Sequence, residues 1–321
     1  MPAIQTDGLT KRYGSGESAL VALDDLDLTV ERGEVFGFLG PNGAGKSTTI
    51  NILLNFIDPT EGSAEVLGHD SQSESMAIRK QTGVLPEGCE VFERLTAREH
   101  IEWMKETKDA DEDVMDLLET VGIPEAADRK AGDFSKGMQQ RLALGMALVG
   151  DPELLILDEP SSGLDPTGMA EMREIIQAQA ESGTTVFFSS HILSEVEAVC
   201  DRVAILSQGE LMVQDSLETL RDEGGIATID LEVDSVPTDL GLDAVDGVKD
   251  VTVAEDTVSV TCTDPSVKVE VVEAINRETA VLDILSEDTS LEEVFKRYTG
   301  SDAVTGADTA ESEEEPPEVT A

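Results

Sequence analysis

Gly40-Pro41-Asn42-Gly43-Ala44-Gly45-Lys46-Ser47-Thr48 follows directly on the apolar run Glu34–Leu39. It satisfies G-x-x-x-x-G-K-[ST], a pattern that chance places on the order of once in a hundred chains of this length. The glycines let successive backbone N–H groups converge on the phosphates of a nucleotide, and the helix that follows aims its N-terminus at them. Lys46 is expected to reach the β- and γ-phosphates, and the Ser47 hydroxyl to hold Mg²⁺. A strand, a Gly-rich turn and a helix in that order open an α/β fold.

Two further runs lie downstream, Leu154–Asp158 and Thr184–Ser189. Their hydrophobicity is continuous rather than alternating, which predicts strands of a parallel sheet covered on both faces. Amphipathic stretches separate such runs as far as about Asp222. Leu154-Leu-Ile-Leu-Asp158 ends in a carboxylate suited to holding Mg²⁺ through water. Glu159 comes next, where a carboxylate can orient or deprotonate an attacking water. Asp-Glu-Pro also suits a plain helix start, and the phosphate motif upstream favours the catalytic reading.

Between these sites stands Phe134-Ser-Lys-Gly-Met-Gln-Gln-Arg141. It resembles the signature sequence LSGGQ of ATP-binding cassette (ABC) proteins. Phe134 replaces the leucine, Lys136 replaces a glycine, and Met138 precedes Gln139. The variant is similar to that of exporters whose permeases are of the ABC-2 type. The resemblance implies that Ser135, Gly137 and Gln139 close over ATP held by a second subunit. Ser161-Ser-Gly-Leu-Asp165 resembles the family's D-loop, and Ser190-His191 its switch histidine, beside the γ-phosphate. Tyr13 matches the aromatic that stacks on adenine, and Gly40 to Thr48 the phosphate cradle. The family's Q-loop glutamine is replaced by Glu87, which can still hold Mg²⁺ or a water. The helical stretch Leu95–Lys108, with Trp103, matches the region that receives the permease's coupling helix. In all, the match runs from about Ile4 to Arg221.

The expected architecture is an ABC ATPase domain over 1–222, a mixed-sheet core with a helical subdomain at about 88–150. A small α+β accessory domain is expected over 226–299. There Ile229, Leu231 and Val233 alternate, Asp239–Val245 can form a short helix, and Val251/Val253 and Val258/Val260/Cys262 flank a turn. Val267, Val271 and Ile275 have helical spacing, Val281–Leu285 reads as a strand, and Leu291–Tyr298 as a last helix. The order β-α-β-β-α-β is the ferredoxin-like, split βαβ pattern. Residues 300–321 carry seven acids and no base, which predicts a disordered tail.

Sixty-eight acidic residues against 22 basic ones give a net charge of −46, which disfavours nucleic acid and anionic lipid as partners. Aromatics are only 3 %, so an aliphatic core is expected. Cys89, Cys200 and Cys262 match no metal or disulfide spacing, as suits a reducing compartment. The opening MPAIQTDGLTKRY shows no apolar core flanked by bases, so no secretion signal is expected in it. The richest apolar stretch, Leu142–Val149, is too short to span a bilayer.

Together these features imply an ATP-hydrolysing subunit, peripheral on the cytoplasmic face of the cell membrane. It works as a homodimer or with a related subunit, driving a separate ABC-2-type permease, with export the favoured direction. His69 and His100 receive no role. The alternative, an ABC ATPase acting on ribosomes or DNA, usually has two cassettes or long coiled coils and basic surfaces, none of which is present. The acidic excess also points to a salt-rich cytoplasm, because self-repulsion is screened to a few Å by molar salt. Raising KCl from low to molar levels should therefore raise the thermal midpoint followed by circular dichroism. A steady fall would contradict adaptation to salt.

Overall fold

The computed structural model describes residues 1–299 apart from 15, 17, 18, 225, 226, 238, 239, 243, 244, 255, 263–266 and 288–290. The tail expected over 300–321 lies outside the described residues. Contacts group the described chain into two units, the first from Met1 to Gln214 and the second beginning at Asp215.

The first unit runs β1 (Ile4–Tyr13), β2 (Leu20–Leu26), β3 (Thr29–Val30), β4 (Val35–Leu39), α1 (Lys46–Leu53), β5 (Glu61–Val66) and β6 (His69–Asp70). It continues through α2 (Ser75–Gln81), β7 (Thr82–Leu85), α3 (Ala97–Lys108), α4 (Val114–Thr120), α5 (Lys136–Leu148) and β8 (Leu154–Asp158). Then come α6 (Pro166–Glu181), β9 (Thr185–Ser190), α7 (Leu193–Val199), β10 (Arg202–Ser207) and β11 (Glu210–Ser216).

The three apolar runs become β4, β8 and β9, in a six-stranded sheet of order β11-β10-β4-β9-β8-β7. From β10 to β7 every pairing is parallel. All residues of β4, β8 and β9 are buried, as strands covered on both faces must be. A second sheet, β2-β1-β5-β6 with β3 added on β1, is antiparallel and half-exposed, with alternating burial along β1. This makes the core mixed rather than purely parallel.

The scarce aromatics are not spread thinly over an aliphatic interior. Phe36 and Phe38 on β4 and Phe187 and Phe188 on β9 are fully buried at the centre of the parallel sheet. Phe187 packs against both β4 rings, with centroids 6.0 and 5.1 Å away.

Helices α3, α4 and α5 pack on one another as a helical group. Helix α3 starts where its sequence says it should. Thr96 and Glu99 form a reciprocal capping box, which satisfies two of the free N–H groups of the first turn. Helix α5 lies against β7, close enough that a Cβ on Gly83 would come within 2.1 Å of the Ala147 carbonyl oxygen.

The second unit contains α8 (Leu217–Gly224), β12 (Ala227–Val233), β13 (Val248–Ala254), β14 (Thr257–Cys262), α9 (Val267–Glu278), β15 (Val281–Glu287) and α10 (Leu291–Thr299). Helix α8 thus groups with this unit and packs on α10, whereas the sequence boundary at 222 assigns most of it to the first domain. The sheet order is β13-β14-β12-β15, all antiparallel, with α9 packed against β12, β14 and β15. Of the short helix expected over Asp239–Val245, positions 239, 243 and 244 lie outside the described residues, and Leu242 is in a 3₁₀ turn whose carbonyl accepts from Val245 N at 3.0 Å. Gly241 takes φ +67°, a left-handed conformation that interrupts a right-handed helix.

Gly83→Ala should lower the stability of the first unit by about 2 kcal/mol or more, since the clash is with backbone that cannot turn away. An unchanged thermal midpoint would show that β7 and α5 can separate without cost.

Candidate functional site

Parallel register decides where the site lies. Leu39 at the end of β4 stands level with Ser190 on β9, Ser189 with Asp158 on β8, and Leu157 with Leu85 on β7. The segments leaving these strands, at Gly40, Glu159, His191 and Pro86-Glu87, therefore emerge along one edge. Ligand crevices of open α/β sheets form at that carboxyl edge.

Gly45 caps α1 at φ +114°, and a Cβ there would meet the Ala22 carbonyl oxygen at 2.6 Å. Only glycine lets the turn close this tightly over β2. Lys46 is buried, and its Nζ donates to the Gly40 carbonyl at 2.6 Å, folding the turn on itself. The same Nζ lies 3.6 Å from Glu159 Oε1. Glu159 Oε2 takes the bond from His191 Nδ1 at 2.8 Å. One buried carboxylate thus holds an ammonium on one oxygen and an imidazole on the other. With Nδ1 donating, Nε2 accepts in the neutral ring and donates in the imidazolium that the Glu159 carboxylate favours.

Glu159 has φ +50°, an uncommon conformation for a side chain of its size, and its N–H donates to the Ser189 carbonyl at 3.0 Å. Strain of this kind persists where the surroundings over-determine it, which is common at functional sites. The Glu159 bond raises the His191 pKa above its ordinary 6.5, while partial burial opposes the rise. Burial pushes the Asp158 carboxyl up, the adjacent Ser189 hydroxyl opposes the shift, nearby Glu87 and Glu159 add to it, and Lys46 opposes it.

A cavity of about 410 Å³ brings together Tyr13, Pro41 to Thr48, Glu87, Asp158 and Glu159. Its remaining lining, Leu20, Val21 and Ala22, was missed by sequence reasoning. Leu20 pairs with Tyr13 across β1 and β2, and both remain largely exposed, at 67 % and 41 %. Exposed apolar residues beside an exposed aromatic make a platform for a flat ring. A hint was available, since a strand pairing beside Tyr13 must carry residues level with it. Lys11 Nζ lies over the Tyr13 ring, 5.1 Å from its centroid.

The donor set suits Mg²⁺. Serine hydroxyl and carboxylates are hard oxygen ligands. Asp158 Oδ1 is buried without a hydrogen-bond partner, as is the Ser189 hydroxyl beside it. Such an atom is costly unless something else satisfies it. No group of three or more His, Cys, Asp or Glu poised for a metal occurs among the described residues. Ser47, Asp158 and Glu87 thus offer hard oxygens of the kind that Mg²⁺ takes together with phosphate oxygens.

A second cavity, about 600 Å³, contains Ser135, Lys136 and Gly137 with Arg129, Arg141 and Asp165. Ser135 caps α5, accepting from Met138 N at 3.3 Å. Asp165 caps α6 in the same way through Gly168 N at 2.7 Å. Gln139 is not among the residues lining this cavity, contrary to the expectation from the signature. Its amide donates to the Ala131 carbonyl at 3.3 Å.

A third, more apolar hollow of about 670 Å³ is lined by Val91, Phe92, Glu93, Arg94, Leu95 and Trp103. Phe92 packs edge-on to Trp103, with centroids 5.5 Å apart. His100 is fully buried beneath it, accepting from Phe92 N at 3.0 Å and bonding the Thr96 carbonyl through Nδ1 at 2.7 Å. One ring nitrogen accepts and the other donates, so the geometry selects a neutral imidazole.

The sequence profile of the ABC transporter family matches residues 23–162. The chain is 42 % identical over 224 residues to the bacitracin transport ATP-binding protein BcrA of Bacillus licheniformis, across 68 % of this chain and 71 % of that protein. It is 37 % identical over 228 residues to the daunorubicin/doxorubicin resistance ATP-binding protein DrrA of Streptomyces peucetius, across 70 % and 68 %. Among solved structures, the dimeric post-hydrolysis state of the ATP-binding cassette MJ0796, bound to ADP and Pi, superposes with a TM-score of 0.61 at 26 % identity. That match covers 67 % of this chain and 98 % of that one.

Because the Glu159 bond favours imidazolium in the folded chain, its stabilisation is full below the unfolded pKa near 6.5 and fades as pH rises through the raised folded value. The unfolding free energy lost on His191→Gln should thus be larger at about pH 6 than at about pH 8.5, by urea titration at fixed KCl. Equal losses at the two pH values would contradict the pairing.

Proposed function

Because this chain belongs to the ATP-binding subunits of ABC transporters and is an ATPase of that family, we propose that it drives an ABC-2-type permease in the direction of export. Subunits of this kind bind ATP, dimerise and pair with a membrane permease. No helix among the described residues is long and apolar enough to cross a membrane, so the membrane route is supplied by that partner, with this chain at the cytoplasmic face. The observation that carries the catalytic reading is the Glu159 carboxylate, buried between Lys46 and His191 at the edge of the phosphate turn.

In this reading Tyr13, with Leu20 and Val21, receives the adenine, and the backbone from Gly40 to Gly45 with Lys46, Ser47 and Thr48 binds the phosphates. Glu159 orients the attacking water and accepts its proton. His191, held through Nδ1, offers Nε2 to the γ-phosphate. Ser47, Asp158 and Glu87 are the residues that would hold Mg²⁺, which when bound neutralises developing charge on the phosphates. Ser135 and Gly137, in a cavity with Lys136 and Arg129, cover the nucleotide of a second copy or of a related subunit. Two ATP molecules then lie at a head-to-tail interface, whose closure moves the permease.

The hollow beside Trp103 receives the permease's coupling helix, an assignment supported by its exposed apolar lining. Export is supported by the Phe134-Ser-Lys-Gly-Met138 variant and by the transport and resistance roles in the names of BcrA and DrrA. The second unit is an accessory domain of split βαβ type, as its strand order supports, and the acidic excess is an adaptation to molar salt.

Glu159→Gln should bind ATP but not turn it over, and should stay dimeric with ATP by light scattering at molar KCl. Used as bait in native membranes, the same variant should retain a multi-span permease. A monomer in ATP, or recovery of ribosomes in place of a membrane protein, would overturn this account.

A further inference from the structure

Helix α7 begins without the usual side-chain cap at Ile192. Its start is held instead from the residue before His191. The Ser190 hydroxyl accepts from Ile192 N at 3.0 Å and donates to Glu195 Oε2, also at 3.0 Å. The two bonds bracket His191 on either side and tie the bracket to the first turn of α7.

Glu195 is a costly residue for this place. It is 3 % exposed on a short helix whose Leu193, Val196 and Val199 are also buried. Its Oε1 is buried with no hydrogen-bond partner. A buried carboxyl with one oxygen unmatched destabilises a fold, and an aliphatic side chain of similar size would serve the packing better. Burial holds its pKa above the usual carboxylate range, the Ser190 hydroxyl and the nearby Ser161 hydroxyl oppose the rise, and the nearby Glu159 adds to it. Packing alone gives no reason for this side chain.

The reason lies in what Ser190 flanks. His191 Nδ1 reaches Glu159 Oε2 at 2.8 Å, and Glu159 is itself held in the left-handed region. The imidazole can meet that oxygen only while the short segment between β9 and α7 keeps its course. Among the described contacts, the Ser190 hydroxyl is the one side-chain group joining the two ends of that segment, and Glu195 orients it.

We propose that Glu195 is a positioning residue for His191, acting through the Ser190 hydroxyl and not by contact with the nucleotide. The inference rests on the catalytic reading of Glu159 and His191 above. A misplacement of about 1 Å in such a group can cost on the order of a hundredfold in rate, so a partial release of the bracket is expected to cost about tenfold.

The test is steady-state ATP hydrolysis by the full chain at molar KCl, with folding of each variant checked by circular dichroism. Glu195→Ala and Ser190→Ala should each lower kcat about tenfold while leaving KM for ATP within about twofold. The double variant should be no slower than either single one, because both remove the same link. Glu195→Gln, whose amide oxygen can still accept from Ser190, should recover most of the loss. Three results would overturn the proposal: wild-type kcat in Glu195→Ala, single losses that multiply in the double variant, or a glutamine variant as slow as the alanine one. His191→Ala is the reference. If it is inactive while Glu195→Ala is fully active, only the role of Glu195 fails. Wild-type kcat in His191→Ala would overturn the catalytic reading itself, and this proposal with it.

Discussion

The Glu159 carboxylate, shared between the Lys46 ammonium and the His191 imidazole, is the constraint on which the rest of the site depends. A charge buried this deeply is tolerable only when it is paired and hydrogen-bonded. Glu159 leaves β8 while Lys46 and His191 follow β4 and β9, and these three strand ends meet only because parallel register sets Leu39 beside Ser190 and Ser189 beside Asp158. A slip of one residue in either pairing would turn alternate side chains to the other face and break the triad of contacts. The Phe36, Phe38 and Phe187 packing pins the β4–β9 pair where that slip would do most damage.

A chain with a net charge of −46 must still bind a polyanion. Exposed charges are screened over a few Å in molar salt, whereas buried pairs are screened far less. Lys46 is buried, its ammonium is fixed by the Gly40 carbonyl, and it lies within the phosphate turn. The second cavity sets Arg129, Lys136 and Arg141 beside Glu125, Asp165 and Glu171, and Arg141 is paired with Glu171.

The helical group shows the same economy in an apolar setting. The capping box at Thr96 and Glu99 starts α3 from local sequence alone. One turn on, the buried His100 ring ties that helix to the backbone of Phe92, so the exposed Phe92 and Trp103 rings stand on a fixed floor. The sequence offered no reason to single out His100. Its role is created by a backbone N–H from a preceding loop, and no spacing announces such a partner.

The amino-acid sequence by itself determined the phosphate turn, the Asp158-Glu159 pair, the family and the kind of chemistry. Each of these is a local demand on backbone geometry or on a strand end, written in adjacent residues. Tyr13, Ser135 and Gly137 were singled out through the resemblance to the family's motifs, and each lines one of the two polar cavities. Gln139 follows Ser135 by one helical turn, yet its amide is turned to the Ala131 carbonyl, a partner that the motif does not name. The first-unit boundary, the left-handed Gly241, the antiparallel second sheet, the Leu20–Val21 platform and the Ser190–Glu195 bracket appeared only in the tertiary structure. The unit boundary, the sheet pairing and the platform depend on which distant backbone lies alongside, while the bracket depends on the course the chain takes between β9 and α7.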